Sequence, residues 1–263
     1  MQRQNPSLIN AVVWSYWDLV HVVRTDWQSS LYASGLLSIG GVTVLILPVY
    51  LTPHPIGQMV ARLALLIGLS FLLTTFLIKV HRTLLLGQAA AAADVGWSSP
   101  RFQTYFGWLC VFVLAMMIPV FLAALATPTG PIYYSGSYAA TPAASFAVLI
   151  ARIVAVFVLS RVVVVLPAVA LDAPGATWQN AFRDMAGSAA FSFALMVLPL
   201  IPVGLIVSAP ILLLKYLPGS APGMIAASVW LGISLFVTLT LLAVIVTRLY
   251  QLVGDRMNSS HPR

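Results

Sequence analysis

AASFAVLIARIVAVFVLSRVVVVLPAVALD, residues Ala143 to Asp172, is the stretch on which the reading of the whole chain turns. It is apolar enough to cross a bilayer, whose hydrocarbon core of ~30 Å takes about 20 residues of helix. Yet it carries Arg152 and Arg161 and meets a proline at Pro167. A charge near the middle of a membrane helix costs at least ~2.5–3.5 kcal/mol on insertion scales, so such a residue faces a bundle interior, water or a lipid head group. With a span from Ala143 to Arg161, Arg152 sits ~13 Å from either end at ~1.5 Å per residue. It is expected either to bond freed carbonyls of the fifth span or to reach an anionic lipid phosphate through a crevice. Arg161, on roughly the opposite face, is expected at the head groups or paired with Asp172 across the Pro167 bend. Arg152, Arg161 and Asp172 are therefore the candidate contacts for an anionic lipid or ligand.

Outward from this stretch the composition agrees. Of 263 residues, 60% are hydrophobic and 7% charged, and the mean hydropathy is +0.98. Soluble domains are roughly a quarter charged, which excludes a water-soluble globule. The expected fold class is all-α, a polytopic membrane protein with six transmembrane helices plus interfacial amphipathic helices, in a single integral membrane domain over 1–263. The spans are placed at about 31–51, 58–79, 105–126, 143–161, 189–214 and 223–247, with a polar tail over 251–263. Alternating strands of ~10 residues, as a membrane barrel needs, are absent. Ser34 and Ser38, and again Ser228 and Gly232, have the small-xxx-small spacing that lets helices approach closely. Pro199, Pro202 and Pro210 predict kinks in the fifth span. Tyr133, Tyr134 and Tyr138, in the loop before Pro142, suit an aromatic belt.

The segment 1–28 precedes the first span, and its part from Ser7 to Gln28 reads as an interfacial helix, with Ser7 as N-cap. On a 3.6-residue period Ile9, Val12, Val13, Tyr16, Val20, Val23 and Trp27 share one face, and Asn10, Asp18, His21, Thr25 and Gln28 the other. A second such helix is expected around Trp178, Ala181, Phe182 and Met185. The N-terminus begins polar and has no signal-peptide pattern. The net charge of +7 comes from thirteen Lys and Arg placed singly at segment ends, a topology signal rather than a nucleic-acid surface. Arg3, Arg24, Lys79, Arg82, Arg101, Arg183, Arg248, Arg256 and Arg263 fall on one side, and Lys215 alone on the other. By the positive-inside rule both termini are cytoplasmic.

Each even-numbered span leaves toward the basic side through a polar residue and an arginine: His81-Arg82, Ser160-Arg161 and Thr247-Arg248. Two readings stand here, a threefold repeat of interfacial helix plus two spans, or positive-inside pressure acting separately at each exit. KVHRTLLLGQ after the second span, and SRVVVVLPAVALD followed by GATWQNAFRDMAGS, resemble motifs of the glycerophosphoryl diester phosphodiesterase membrane-domain superfamily. The likeness covers nearly the whole chain. Gln88 stands where that family commonly has an acid, and Asp172 where it commonly has a glutamate. The resemblance implies a six-helix module of the cell inner membrane, without the soluble catalytic domain to which some members are fused.

The chemistry-bearing residues are sparse. The six acids are all aspartates, Asp18, Asp26, Asp94, Asp172, Asp184 and Asp255, each outside or at the edge of a span. The four histidines, His21, His54, His81 and His261, share no metal-ligand spacing, so no metal and no cofactor is expected. No HExxH, GxSxG, P-loop or dinucleotide fingerprint occurs. Cys110 is the sole cysteine, so no intramolecular disulfide forms. The role expected is a non-enzymatic membrane module that organises lipids, or a protein partner, through its cytoplasmic face. The alternative is a transporter or pore for an anionic or amphipathic solute around Arg152.

Overall fold

The computed structural model of the protein describes residues 7–52, 54–91, 96–126, 142–214, 221–254 and 257. Tyr133, Tyr134, Tyr138, Lys215, Asp94, Asp255 and His261 lie outside the described residues. Every regular element among those described is a helix: α1 Leu8–Thr25, α2 Trp27–Leu51, α3 Pro55–Leu86, α4 Gln88–Ala91, α5 Pro100–Ala126, α6 Pro142–Ser160, α7 Val165–Ala170, α8 Trp178–Asp184, α9 Ala189–Val197, α10 Leu200–Leu214 and α11 Ala221–Val253. Among the described residues, five helices are long and apolar enough to cross a membrane: Trp27–Leu51, Ile56–Leu86, Pro100–Leu122, Ala189–Ser208 and Ala226–Val253. In α6 the apolar stretch Phe146–Ser160 is shorter.

The long helices α3 and α11 pack against each other at the centre, and α2 lies across both. The α5–α6 pair sits beyond α3, and α9–α10 lies against α11. Small residues set the closest crossing. A methyl group placed on Gly232 of α11 would lie 2.3 Å from the Ser38 Cα of α2 and 1.8 Å from its Oγ. Only hydrogen fits there. Gly41 meets Leu231 and Leu235 in the same seam, so the Ser38 and Gly232 spacings do locate the tightest packing.

The stretch expected as the fifth span breaks at Pro199, the first of its three prolines, while α10 runs on through positions 202 and 210. Helix α9 ends at Val197 and α10 resumes at Leu200, with Leu198 and Pro199 in a turn. Pro199 O is not left open, because the Tyr16 hydroxyl of α1 donates to it at 2.6 Å. The stretch expected as the fourth span breaks ahead of its proline. Helix α6 stops at Ser160, residues 161–164 form a tight turn, and Pro167 lies in the first turn of α7, where its missing N–H costs nothing. The valine run after Arg161 is thus no continuation of the span. Val163 to Ala170 fold back and are buried in the core.

Helix α1 packs on the bundle along one stripe. Its N-cap is as predicted, Ser7 Oγ accepting from Asn10 N at 3.3 Å. Its buried stripe is Ala11, Ser15, Leu19 and Val22, with Val12, Tyr16 and Val23 partly buried beside it, while Ile9, Val13, Val20 and, at the start of α2, Trp27 are exposed. In α8, likewise, Ala181 and Met185 are buried and Trp178 and Phe182 are exposed.

Candidate functional site

The chemistry-bearing residues gather at the ends of the helices that carry the basic exits. Helices α3 and α11 run on as helix past the polar–arginine pair and end in glycines, Gly87 N bonding Thr83 O and Gly254 N bonding Tyr250 O. The two exits meet. His81, fully buried, holds Thr247 Oγ1 at 2.7 Å through Nδ1 and the Tyr105 hydroxyl of α5 at 2.8 Å through Nε2. Thr247 already donates its hydroxyl to Ala243 O at 2.8 Å. That leaves Thr247 Oγ1 as acceptor for His81 Nδ1–H, and Nε2 as acceptor for the Tyr105 O–H. A neutral imidazole with its proton on Nδ1 satisfies every group, an assignment made from the network itself. Helices α3, α5 and α11 are pinned to one another at this point.

Around this knot, ion pairs tie the flanking segments to the spans. Arg248 of α11 forks onto Asp18 of α1, Nε to Oδ2 at 2.5 Å and Nη2 to Oδ1 at 2.8 Å. Lys79 of α3 meets Asp26, between α1 and α2, at 2.7 Å and Ser29 at 3.0 Å. Arg101 of α5 holds Asp172 through Nε at 2.9 Å, with a second bond from Nη2 to Oδ2. These bonds from Arg101 hold the Asp172 carboxyl below the ordinary carboxylate range. Asp172 has φ 54°, a left-handed conformation that aspartate tolerates better than most residues. Arg82 is buried and donates to Ala170 O at 3.2 Å. The chain beyond α11 adds a clip: Met257 O accepts from Gly175 N at 3.0 Å, and Met257 N reaches Asp184 at 3.4 Å.

The three residues singled out in the sequence end up apart in role. Asp172 does not pair with Arg161; Arg101, the second residue of α5, has taken it. Arg161 lies with its guanidinium carbon 3.7 Å from the centroid of the Phe182 ring, and its Nε is buried with no hydrogen-bond partner. Arg152 is exposed on the outer side of α6, among the exposed Leu149, Ile153 and Val154. The carbonyl of Pro199, at the break, is bound by Tyr16 rather than by Arg152. Asp18, Asp26, Tyr16 and Tyr105 are the contacts missed by the periodicity. Their one legible signal was scarcity: in a chain with six acids, each acid is apt to be committed to a base. Among the described residues no three His, Cys, Asp or Glu side chains form a group that could hold a metal.

The fold and this ring of contacts define a multi-pass helical membrane protein whose flanking helices are locked onto one end of the bundle. No family model matches the chain, and no curated protein or solved structure matches it significantly.

Proposed function

We propose that the chain is a six-span, non-enzymatic module of a bacterial inner membrane, with both termini cytoplasmic, that organises lipids or a protein partner through its basic face. On this reading α6 is the remaining span, and kinship with the phosphodiesterase-associated membrane domains is part of the proposal. One observation carries it: Asp18, Asp26 and Asp172 are spent on ion pairs with Arg248, Lys79 and Arg101. Acids committed in this way hold the flanking segments in place and are themselves not available for acid–base chemistry. What the face then offers outward is basic and aromatic, with Arg24, Arg183, Trp17 and Trp178 exposed. Exposed tryptophans beside arginines suit the head-group layer of a membrane.

The alternative, a transporter or pore, draws on the break at Leu198–Pro199 and on Arg152. The Tyr16 bond to Pro199 O weighs against it, since an unwound segment that binds solute needs its carbonyls available. Flux of a fluorescent anion from proteoliposomes is the deciding experiment. The module reading expects leakage equal to protein-free vesicles, and protein-dependent flux would replace it with the transporter. Fluorescent-protein fusions at the two ends test the topology, both being expected to fluoresce in the cytoplasm.

A further inference from the structure

We infer that Arg161 and Ser188 form a clamp for the phosphate of one anionic phospholipid, at the place where α6 stops and α9 begins. This deepens the reading of the basic face as lipid-organising, and rests on it. Four observations bear on the site. Arg161 is the one exit arginine that ends against a ring: its guanidinium lies over Phe182 at 3.7 Å, and its Nε is buried without a partner. A buried donor on a permanent cation is costly to leave unpaired. No described carboxylate supplies the pairing, since Asp18, Asp26 and Asp172 hold other bases and Asp184 faces Met257 N.

Ser188 provides a second unfilled donor. It stands at the N-cap of α9, makes no side-chain capping bond, and its Oγ is buried without a partner. Register places the two together. Phe157 of α6 meets Phe193 of α9 edge-on, with centroids 5.7 Å apart. One helical turn on from Phe157 is Arg161, and one turn back from Phe193 is Ala189, beside Ser188; in helices that run opposite ways these lie at the same level. A phosphate there accepts from the Arg161 fork and the Ser188 hydroxyl, and it faces the first backbone amides of α9.

The surroundings select a lipid as its source. Val154, Phe157 and Val158, on the turns of α6 leading up to Arg161, are exposed apolar residues along which acyl chains can lie. Trp178, one turn before Phe182 on α8, is exposed where a head-group layer would be.

The test is native mass spectrometry of the full-length protein equilibrated in mixed micelles of equimolar phosphatidylglycerol and phosphatidylcholine. Wild type is expected to retain one phosphatidylglycerol, and Arg161→Gln to lose that retention by at least about tenfold. Arg248→Gln, which removes an arginine on the same side that is spent on Asp18, is expected to retain it. Equal retention by wild type and Arg161→Gln overturns the site, as does an equal loss in Arg248→Gln, which would mark general attraction to a basic surface. Displacement of the lipid by inorganic phosphate at matched concentration overturns the lipid as ligand. If Arg161→Gln does not yield a monodisperse protein, Phe182→Leu takes its place and has to weaken retention about threefold. Neither anion flux nor topology enters this measurement, so the clamp can fail while the module reading stands.

Discussion

Helices α3 and α11 leave the bundle through the same two-residue pattern as α6, a polar side chain followed by arginine, and the outcomes differ. At α3 and α11 the polar residues His81 and Thr247 bond each other across the core, and the helix runs on past them. At α6 the Ser160 hydroxyl turns back to its own backbone at Phe157 O, 2.7 Å away, and the helix ends there. Arg248 finds a carboxylate, Arg82 a carbonyl, and Arg161 an aromatic face. The difference lies in the neighbours. Two central helices lie against each other and can share a buried network, whereas α6 packs at the edge beside α5 and α9. A shared exit motif thus became structural in two copies and left a donor unfilled in the third.

The largest effect is expected from separating the central helices. Gly232→Val drives a branched side chain into the Ser38 backbone and should cost about 3 kcal/mol or more, read as loss of monodisperse protein or a steep fall in the unfolding midpoint. A variant as stable as wild type would mean that the α2–α11 crossing is looser than described. Next comes the buried network. His81→Leu strands the buried Tyr105 hydroxyl and removes the donor to Thr247 Oγ1, and should cost about 2 kcal/mol. Combining it with Tyr105→Phe should recover part of that loss; full additivity in the double-mutant cycle would argue that the two groups do not communicate.

A smaller effect sharpens the contrast between the exits. Arg248→Gln leaves Asp18, a half-buried acid, without its partner and should cost about 1 kcal/mol, whereas Arg161→Gln should leave the unfolding midpoint within about 0.5 kcal/mol of wild type. Equal destabilisation by both would erase the distinction. The smallest is a pH effect. The folded-state pKa of Asp172 lies below its ordinary value of 3.8, so its ionised form adds stability above that value, and the gain is lost as pH falls through the depressed one. With Asp172 about half exposed, screening reduces this to a few tenths of a kcal/mol. The advantage of wild type over Asp172→Asn should therefore shrink between about pH 5 and about pH 2. A gap that widens on acidification would show the sign to be wrong.

Much of this architecture was open to inspection in one dimension. Apolar runs of spanning length, the Ser38 and Gly232 spacings, the Ser7 cap and the proline break near Pro199 all express local rules, because helix formation and helix breaking act within a few residues. Which residues of α1 meet the bundle was not legible in this way, because the stripe Ala11, Ser15, Leu19 and Val22 is chosen by the neighbouring helices. The place of the valine run after Arg161 was open for a related reason: apolar sequence suits a lipid face and a protein core equally well. Its burial in a short returned helix depends on neighbours far away in the chain.

What the sequence by itself determined is the class, an all-helical membrane protein, since composition and run length answer to the bilayer alone. Which acid meets which base, which tyrosine caps the broken helix, and which arginine is left facing a ring were decided only by tertiary structure. Partners such as Asp18 and Arg248, 230 residues apart, follow from how helices cross. No local rule of the chain encodes that crossing.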